Sequence, residues 1–212
     1  MSVFIITPIL VIIIILLLTI ILLGIFFTID TFLDLPYVAT KRDKIETIIK
    51  LAQIKPKETV VDLGSGDGRL IFAAARAGAH AIGYEINPFL ILLTQIKAIL
   101  FHPRGESSSH LGGVFVKRQN LWKADLSIAD VIFVYGRKKT MQKFEDFAYK
   151  KAKKGTRIVV NTNRFPNKKP LKSNNGIFLY RAWSIGFIKI SYKFQLLNQI
   201  LIKILTRISL KN

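Results

Sequence analysis

The residues of this chain that most plainly could do chemistry run Val60-Val61-Asp62-Leu63-Gly64-Ser65-Gly66-Asp67-Gly68-Arg69, an apolar stretch ending in glycines and an acid. The apolar part reads as a strand, and the residues beyond the glycines read as a helix. Glycine has no β-carbon, so the backbone can turn sharply there and approach a ligand closely, while the first N–H groups of the helix remain free to donate. Such a loop suits a cofactor that carries a nucleotide. The dinucleotide fingerprint G-x-G-x-x-G would require glycine at position 69, where this chain has Arg69. The chain has no cysteine, which excludes disulfides, thiolate nucleophiles and cysteine-ligated metals. No metal ligands are expected.

Holding that loop in place requires a scaffold of alternating elements. Strands are expected over Thr59 to Leu63, His80 to Tyr84, Val114 to Lys117, Asp130 to Tyr135 and Thr156 to Asn161. Helices are expected over Gly68 to Ala77, Asn87 to Phe101 and Lys138 to Lys151. Asn87 suits a helix cap and Pro88 a first helical position. One amphipathic helix, Asp43 to Ile54, precedes the first strand, with apolar residues at Ile45, Ile48, Ile49 and Ala52. Pro103 to Gly113 reads as a loop between the halves of the sheet. Ile177 to Trp183 and Phe187 to Phe194 read as a closing hairpin. The βαβα order predicts an α/β fold, a parallel sheet with helices on both faces.

The pattern D-x-G-x-G-x-G from Asp62 to Gly68 resembles the first motif of class I S-adenosylmethionine-dependent methyltransferases. That resemblance implies a Rossmann-like, mostly parallel sheet closed by an antiparallel hairpin, with S-adenosylmethionine as cofactor. Gly64, Ser65, Gly66 and Gly68 would then wrap its methionine part, and Asp62 would face the ammonium group. A second matching element, Gly83-Tyr84-Glu85-Ile86-Asn87-Pro88, lies about 20 residues after the glycine loop, the spacing at which an acid meets ribose hydroxyls in the dinucleotide case. Glu85 is thereby implicated as the ribose ligand, with Ile86 beside it. The third element is Asn120-Leu121-Trp122-Lys123, where the family often has an aspartate that bonds the adenine amino group. An asparagine oxygen can accept the same bond, so Asn120 and Leu121 complete the implied cofactor set. Trp122 packs either near adenine or in the core.

From Pro36 to about Pro170 the chain also resembles a narrower group: the membrane-tethered protein-lysine methyltransferases of the ATP synthase c subunit and the adenine nucleotide translocase, with their prokaryotic relatives. The shared features are Pro36-Tyr37-Val38, D-L-G-S-G-D-G-R at Asp62 to Arg69, G-Y-E-I-N-P at Gly83 to Pro88, Asn120 to Lys123, and Arg164-Phe165-Pro166. The resemblance implies methyl transfer to a lysine amine of a membrane-associated protein. No residue announces itself as a catalytic base. Asp67, Tyr135, Asn161 and Phe165 lie at or just beyond expected C-terminal strand ends, where open α/β sheets bind ligands, and are the candidates. Other readings stay open: an RNA, DNA or small-molecule methyltransferase, or a cofactor-binding module without catalysis. The basic stretch Arg137 to Lys172 could contact nucleic-acid phosphates. Against that, amino-methylating nucleic-acid enzymes often carry an N-P-P-Y-like motif where this chain has Val134-Tyr135-Gly136-Arg137.

Two further features concern the membrane. Val3 to Phe27 contains no charged residue, and about 20 apolar residues suffice to cross the hydrocarbon core as a helix. A cleavable signal peptide would want basic residues before a shorter apolar core. Lys41, Arg42 and Lys44 come after the span with no Lys or Arg before it, which predicts a single-pass protein whose catalytic domain is cytoplasmic. The net charge of +19 lies wholly at or beyond Asp30, a field that favours anionic partners. Phe194, Leu197, Leu201, Ile204, Leu205 and Ile208 alternate with basic residues in a C-terminal amphipathic pattern. The expected organisation is a transmembrane anchor over 1–29, a linker over 30–42, a methyltransferase domain over 43–190 and a basic amphipathic helix over 191–212.

Overall fold

The computed structural model describes residues 2–32, 37–100 and 113–182. Helix α1 (Ser2–Phe32) runs three residues past the expected end of the anchor. Within it, Ile6–Ile25 is long and apolar enough to cross a membrane, and its large apolar side chains are exposed. The hydroxyls of Thr19 and Thr28 donate to Ile15 O and Gly24 O one turn back, at 2.8 and 2.7 Å. Polar side chains satisfied within their own helix are what an apolar surrounding demands.

The other elements are α2 (Arg42–Ala52), β1 (Thr59–Leu63), α3 (Arg69–Arg76), β2 (His80–Glu85), α4 (Pro88–Leu100), β3 (Val114–Arg118), β4 (Val131–Tyr135), α5 (Met141–Lys151), β5 (Arg157–Asn161), β6 (Lys172–Asn174) and β7 (Ile177–Arg181). The seven strands form one sheet in the order β3-β2-β1-β4-β5-β7-β6. β3, β2, β1, β4 and β5 are parallel, and β7 and β6 are antiparallel. This is the Rossmann-like sheet with a closing hairpin that the pattern of elements predicts.

Each central strand feeds both faces, because successive side chains point to opposite sides. Val60, Phe133 and Val159 pack under α2 and α3 with Ile48, Ile71 and Ala74. Val61, Ile132, Val134, Ile158 and Val160 pack against α5 through Met141, Phe144 and Ala148. Fully burying such side chains contributes roughly 1.5–3 kcal/mol each. Near-continuous Val/Ile runs, rather than alternation, are the signature of strands covered on both faces.

The hairpin that the described residues contain is built on the N-terminal side of β7. Ile177–Arg181 pairs with Lys172–Asn174, whereas the expected partner, Phe187 to Phe194, lies outside the described residues. The two-residue connection is Asn175-Gly176, with φ of 48° and 69°. Two left-handed residues match the turn whose twist suits a hairpin, and Asn-Gly is its strongest signal. The Pro103 to Gly113 loop and the C-terminal amphipathic helix over 191–212 fall almost or entirely outside the described residues. α4 begins as expected: Asn87 Oδ1 accepts from Phe89 N at 3.0 Å.

Candidate functional site

The register puts the glycine loop beside the end of β2, since Asp62 pairs with Gly83 and Leu63 with Tyr84. At the end of β1 the chain folds back, and Gly64 N and Ser65 N both donate to Tyr84 O at 2.9 and 3.1 Å. Gly66 and Gly68 take left-handed φ of 55° and 81°, for different reasons. A β-carbon on Gly66 would sit 2.6 Å from the Tyr37 ring, and one on Gly68 would sit 2.7 Å from Thr94 Cγ2. Gly66 therefore keeps the cavity wall thin, whereas Gly68 lets α4 approach. On β2, a side chain at Gly83 would overlap Ser65. Ser65 Oγ is buried with no hydrogen-bond partner, as is Asn87 Nδ2.

Three buried carboxylates surround this loop, and their environments differ. Glu85 Oε2 accepts from Gly66 N, and its Oε1 accepts from Ile86 N and Asn87 N, each at 2.8 Å. It pins the loop while leaving about one lone pair to spare, since a carboxylate offers about four. Asp62 has no cation against it among the described residues. Burial, aided by Glu85 and Asp67, pushes its carboxyl up to about 7. Asp67 is equally buried, and burial alone would raise it too, but Arg69 and Lys97 overcome this and hold it well below the usual carboxylate range. Arg69 reaches it with Nε at 2.9 Å and Nη2 at 2.8 Å, and Lys97 Nζ at 2.7 Å. Arg69 Nη1 also donates to Thr40 O at 2.7 Å. The residue that breaks the dinucleotide fingerprint thus clasps the loop to the segment before α2.

A cavity of about 450 Å³ opens over the C-terminal ends of β1, β2 and β4. Asp62, Gly64, Ser65, Gly66, Asp67, Glu85, Ile86, Asn120, Leu121 and Tyr135 line it. Three expected residues do not. Gly68 packs beneath the loop against Thr94. Asn161 is buried beside the cavity, its Oδ1 accepting from Thr162 Oγ1 at 2.9 Å. Phe165 belongs to the core, its ring centroid 4.7 Å from that of Tyr180. An aromatic with no polar atom of its own gains more from that packing than from a cavity rim. Asp67 lines the wall with its carboxylate bound by Arg69 and Lys97.

Asn120 is exposed, and its Oδ1 accepts from Trp122 N at 3.0 Å, capping a short 3₁₀ turn. One lone pair of that oxygen remains. Trp122 stacks on Phe144 at 4.6 Å, with Lys143 Nζ 4.1 Å from its centroid, so it is chiefly a packing residue at the cavity's edge. Tyr37, Thr40, Arg137, Lys143, Thr162 and Asn163 also line the cavity and are not among the residues expected from sequence to do so. Of these only Tyr37, within Pro36-Tyr37-Val38, carries a sequence signal. Asn163 Nδ2 donates to Gly136 O at 2.8 Å, tying the loops after β4 and β5 together.

Residues 62–172 match the ANTKMT methyltransferase domain family. The chain is 29% identical over 136 residues to the ATP synthase c-subunit lysine N-methyltransferase of Rattus norvegicus, covering 64% of this chain and 59% of that protein. It is 35% identical over 135 residues to the adenine nucleotide translocase lysine N-methyltransferase of Mus musculus, covering 63% and 55%. The chain thus spans little more than half the length of these relatives. Among solved structures it resembles an RNA methyltransferase from Salinibacter ruber in complex with S-adenosyl-L-homocysteine, with TM-score 0.59 and 27% identity over 70% of this chain and 94% of that one.

Proposed function

The chain belongs to the ANTKMT methyltransferase domain family, and from that premise we propose that it transfers a methyl group from S-adenosylmethionine to a lysine amine of a membrane-associated protein. The observation that carries this reading is the buried, uncompensated carboxylate of Asp62, set beside the bare backbone of Gly64 and Gly66 in a cavity large enough for a small cofactor. A buried anion with no partner is costly, and a cationic ligand offsets the cost. The orphaned Ser65 Oγ and Asn87 Nδ2 point the same way, since buried polar atoms normally find partners.

The cofactor, when bound, supplies an electrophilic methyl group on a sulfonium. In this assignment Asp62 balances the amino group, and the bare backbone of Gly64 and Gly66 makes room for the methionine part, the N–H groups of Gly64, Ser65 and Gly66 being already engaged by Tyr84 O and Glu85. Glu85 accepts from a ribose hydroxyl with its remaining lone pair, and Asn120 and Leu121 meet the adenine. The acceptor amine enters from the β4–β5 side, where Tyr135 and Asn163 face the cavity. The reaction then needs alignment at close range and loss of the lysine proton. Asp67 cannot take that proton while Arg69 and Lys97 hold it.

We assign residues 1–29 as a membrane anchor, 30–42 as a linker, 43–190 as the catalytic domain and 191–212 as a basic amphipathic helix, with the catalytic domain on the cytoplasmic side. The test is mass spectrometry of membrane proteins incubated with the full chain and deuterium-methyl S-adenosylmethionine. Deuterated methyl-lysine in a membrane protein is expected. Label in RNA instead would overturn the acceptor, a reading that the likeness to the Salinibacter RNA methyltransferase keeps in view. Absence of cofactor binding would overturn the whole assignment.

A further inference from the structure

Helix α4 is apolar outward as well as inward, where Leu90 and Ile91 are buried. Its inner side also carries polar groups: Thr94 Oγ1 donates to Gly66 O at 3.3 Å, and Lys97 Nζ donates to Asp67 O at 3.1 Å. Its outer side carries Leu92, Leu93, Ile96, Ile99 and Leu100, all exposed, with Ile99 at 75% and Leu100 at 74%. At about 3.6 residues per turn these five fall on one side of the helix. The surface continues onto the sheet edge. A groove of about 520 Å³ separates α4 from β3, lined by Gln95, Ala98, Phe115 and Lys117 among others. Phe115 and Lys117 are exposed on one face of the strand, whereas Arg118 is exposed on the other. A contiguous apolar patch rimmed by charge marks an interaction site.

We propose that this α4–β3 surface lies on an anionic lipid bilayer, as a second membrane contact beyond α1. It rests on α1 being a span, and it does not rest on methyl transfer. An apolar helix face with Lys beside it is the composition of an interfacial helix, whose apolar side enters the acyl boundary while basic residues meet headgroup phosphates. A second copy of the chain fits poorly, since a two-fold contact would set Lys117 against its own like. Residues 183–212 fit poorly for the same reason, since they carry Lys and Arg and no acid. Residues 101–112 bring only Phe101 and Leu111 as large apolar groups, too few for the stripe. An anionic bilayer supplies both the apolar interior and the opposite charge. Because the inner side of α4 holds the glycine loop, the same helix would join the lipid surface to the proposed cofactor pocket.

The absence of cysteine permits single labels. Full-length Ile99→Cys and, as reference, Lys150→Cys on exposed α5 are each labelled with an environment-sensitive dye. Both are reconstituted in vesicles of phosphatidylcholine and phosphatidylglycerol in equal parts. Expected is strong quenching of the position-99 dye by spin-labelled lipid, with protection from iodide, and the reverse at position 150. Lys117→Ala should weaken the lipid quenching at 99 by about fivefold in apparent affinity. Vesicles that float with the protein while the dye at 99 stays open to iodide overturn the proposal and leave the anchor standing. Protection from iodide without lipid quenching also overturns it, in favour of a protein cover. A chain that does not float with vesicles overturns both the anchor and this surface, and cofactor binding measured on the same preparation keeps the enzymatic reading separate.

Discussion

Across the cavity, β1 and β2 present backbone and buried carboxylates, whereas β4 and β5 present the tips of side chains. On the first side Gly64, Gly66, Asp62 and Glu85 are fixed by left-handed backbone, strand register and hydrogen bonds from Gly66, Ile86 and Asn87. On the second, Tyr135 ends β4, paired with Asn161, and Asn163 lies just past β5, its N donating to Asn161 O and its Nδ2 to Gly136 O. If the proposed assignment holds, the two walls should be separable: changes on the first should act on the cofactor, and changes on the second on the acceptor. Substitutions on each wall should separate cofactor affinity from turnover.

The largest effect is expected at Gly66. Valine there must adopt φ near 55° and intrude on the Tyr37 ring, and left-handed strain alone costs about 1–3 kcal/mol for a side chain that avoids this region. Gly66→Val should weaken cofactor binding by roughly 100-fold or more, measured by calorimetry, while circular dichroism stays near that of the parent. An unchanged affinity would mean that the loop does not contact the ligand, and the contrast between the walls would vanish.

Next come Asp62 and Asp67, five residues apart and buried alike, with opposite charge environments. Asp62→Asn removes an uncompensated buried charge, so it should raise thermal stability at pH 8 while weakening the cofactor by roughly tenfold to 100-fold. Asp67→Asn leaves Arg69 and Lys97 facing a neutral amide and should destabilise the fold by about 1–3 kcal/mol. The pH profiles should differ in sign. Asp62 is raised in the fold to about 7, so its favourable protonated form is present below the ordinary carboxylate range. That contribution is lost as pH rises through about 7, by roughly 2–4 kcal/mol. Affinity for a cationic ligand should rise over the same interval and be flat in Asp62→Asn. Asp67 is lowered, so its contribution holds at neutral pH and is lost only in acid, below about 4. Parallel profiles for the two variants would show that the carboxylates share one environment.

On the opposite wall, Tyr135→Phe and Asn163→Ala should lower turnover by about threefold to 30-fold, the scale of one lost hydrogen bond at a reacting group. Cofactor affinity should change less than twofold. Stopped-flow turnover against calorimetric affinity separates these. Equal losses in both would place Tyr135 or Asn163 on the cofactor and erase the division between walls.

The two walls are also unequally legible in the sequence. Gly64, Gly66 and Glu85 can be read because backbone freedom and strand-end spacing are local properties. Asp67 has the look of an available acid because its partner Lys97 arrives from α4, thirty residues away, and no local pattern records that pairing. Phe165 stands where strand ends put ligands, yet its ring is drawn into the core by Tyr180 on β7. The strand Lys172–Asn174 is not legible because it is short, polar and exposed, and only the Asn175-Gly176 turn after it marks its place. Arg137 and Lys143 come to the cavity through tertiary packing alone.

The smallest expected effect lies where the chain departs from the common methyltransferase pattern. Asn120→Asp restores a carboxylate at the adenine end, and the cap is indifferent to the change, because either side chain offers an oxygen to Trp122 N. A charged acceptor strengthens a hydrogen bond to the adenine amino group, but the position is exposed, where water competes for the same bond and screens the added charge. The gain should not exceed about threefold in cofactor affinity, with unchanged melting temperature and unchanged turnover at saturation. A gain of tenfold or more would mean that adenine binding is the weak point of the first wall. A loss would mean that the Asn120 amide donates to the cofactor, and the adenine would then have to turn a different edge towards Leu121.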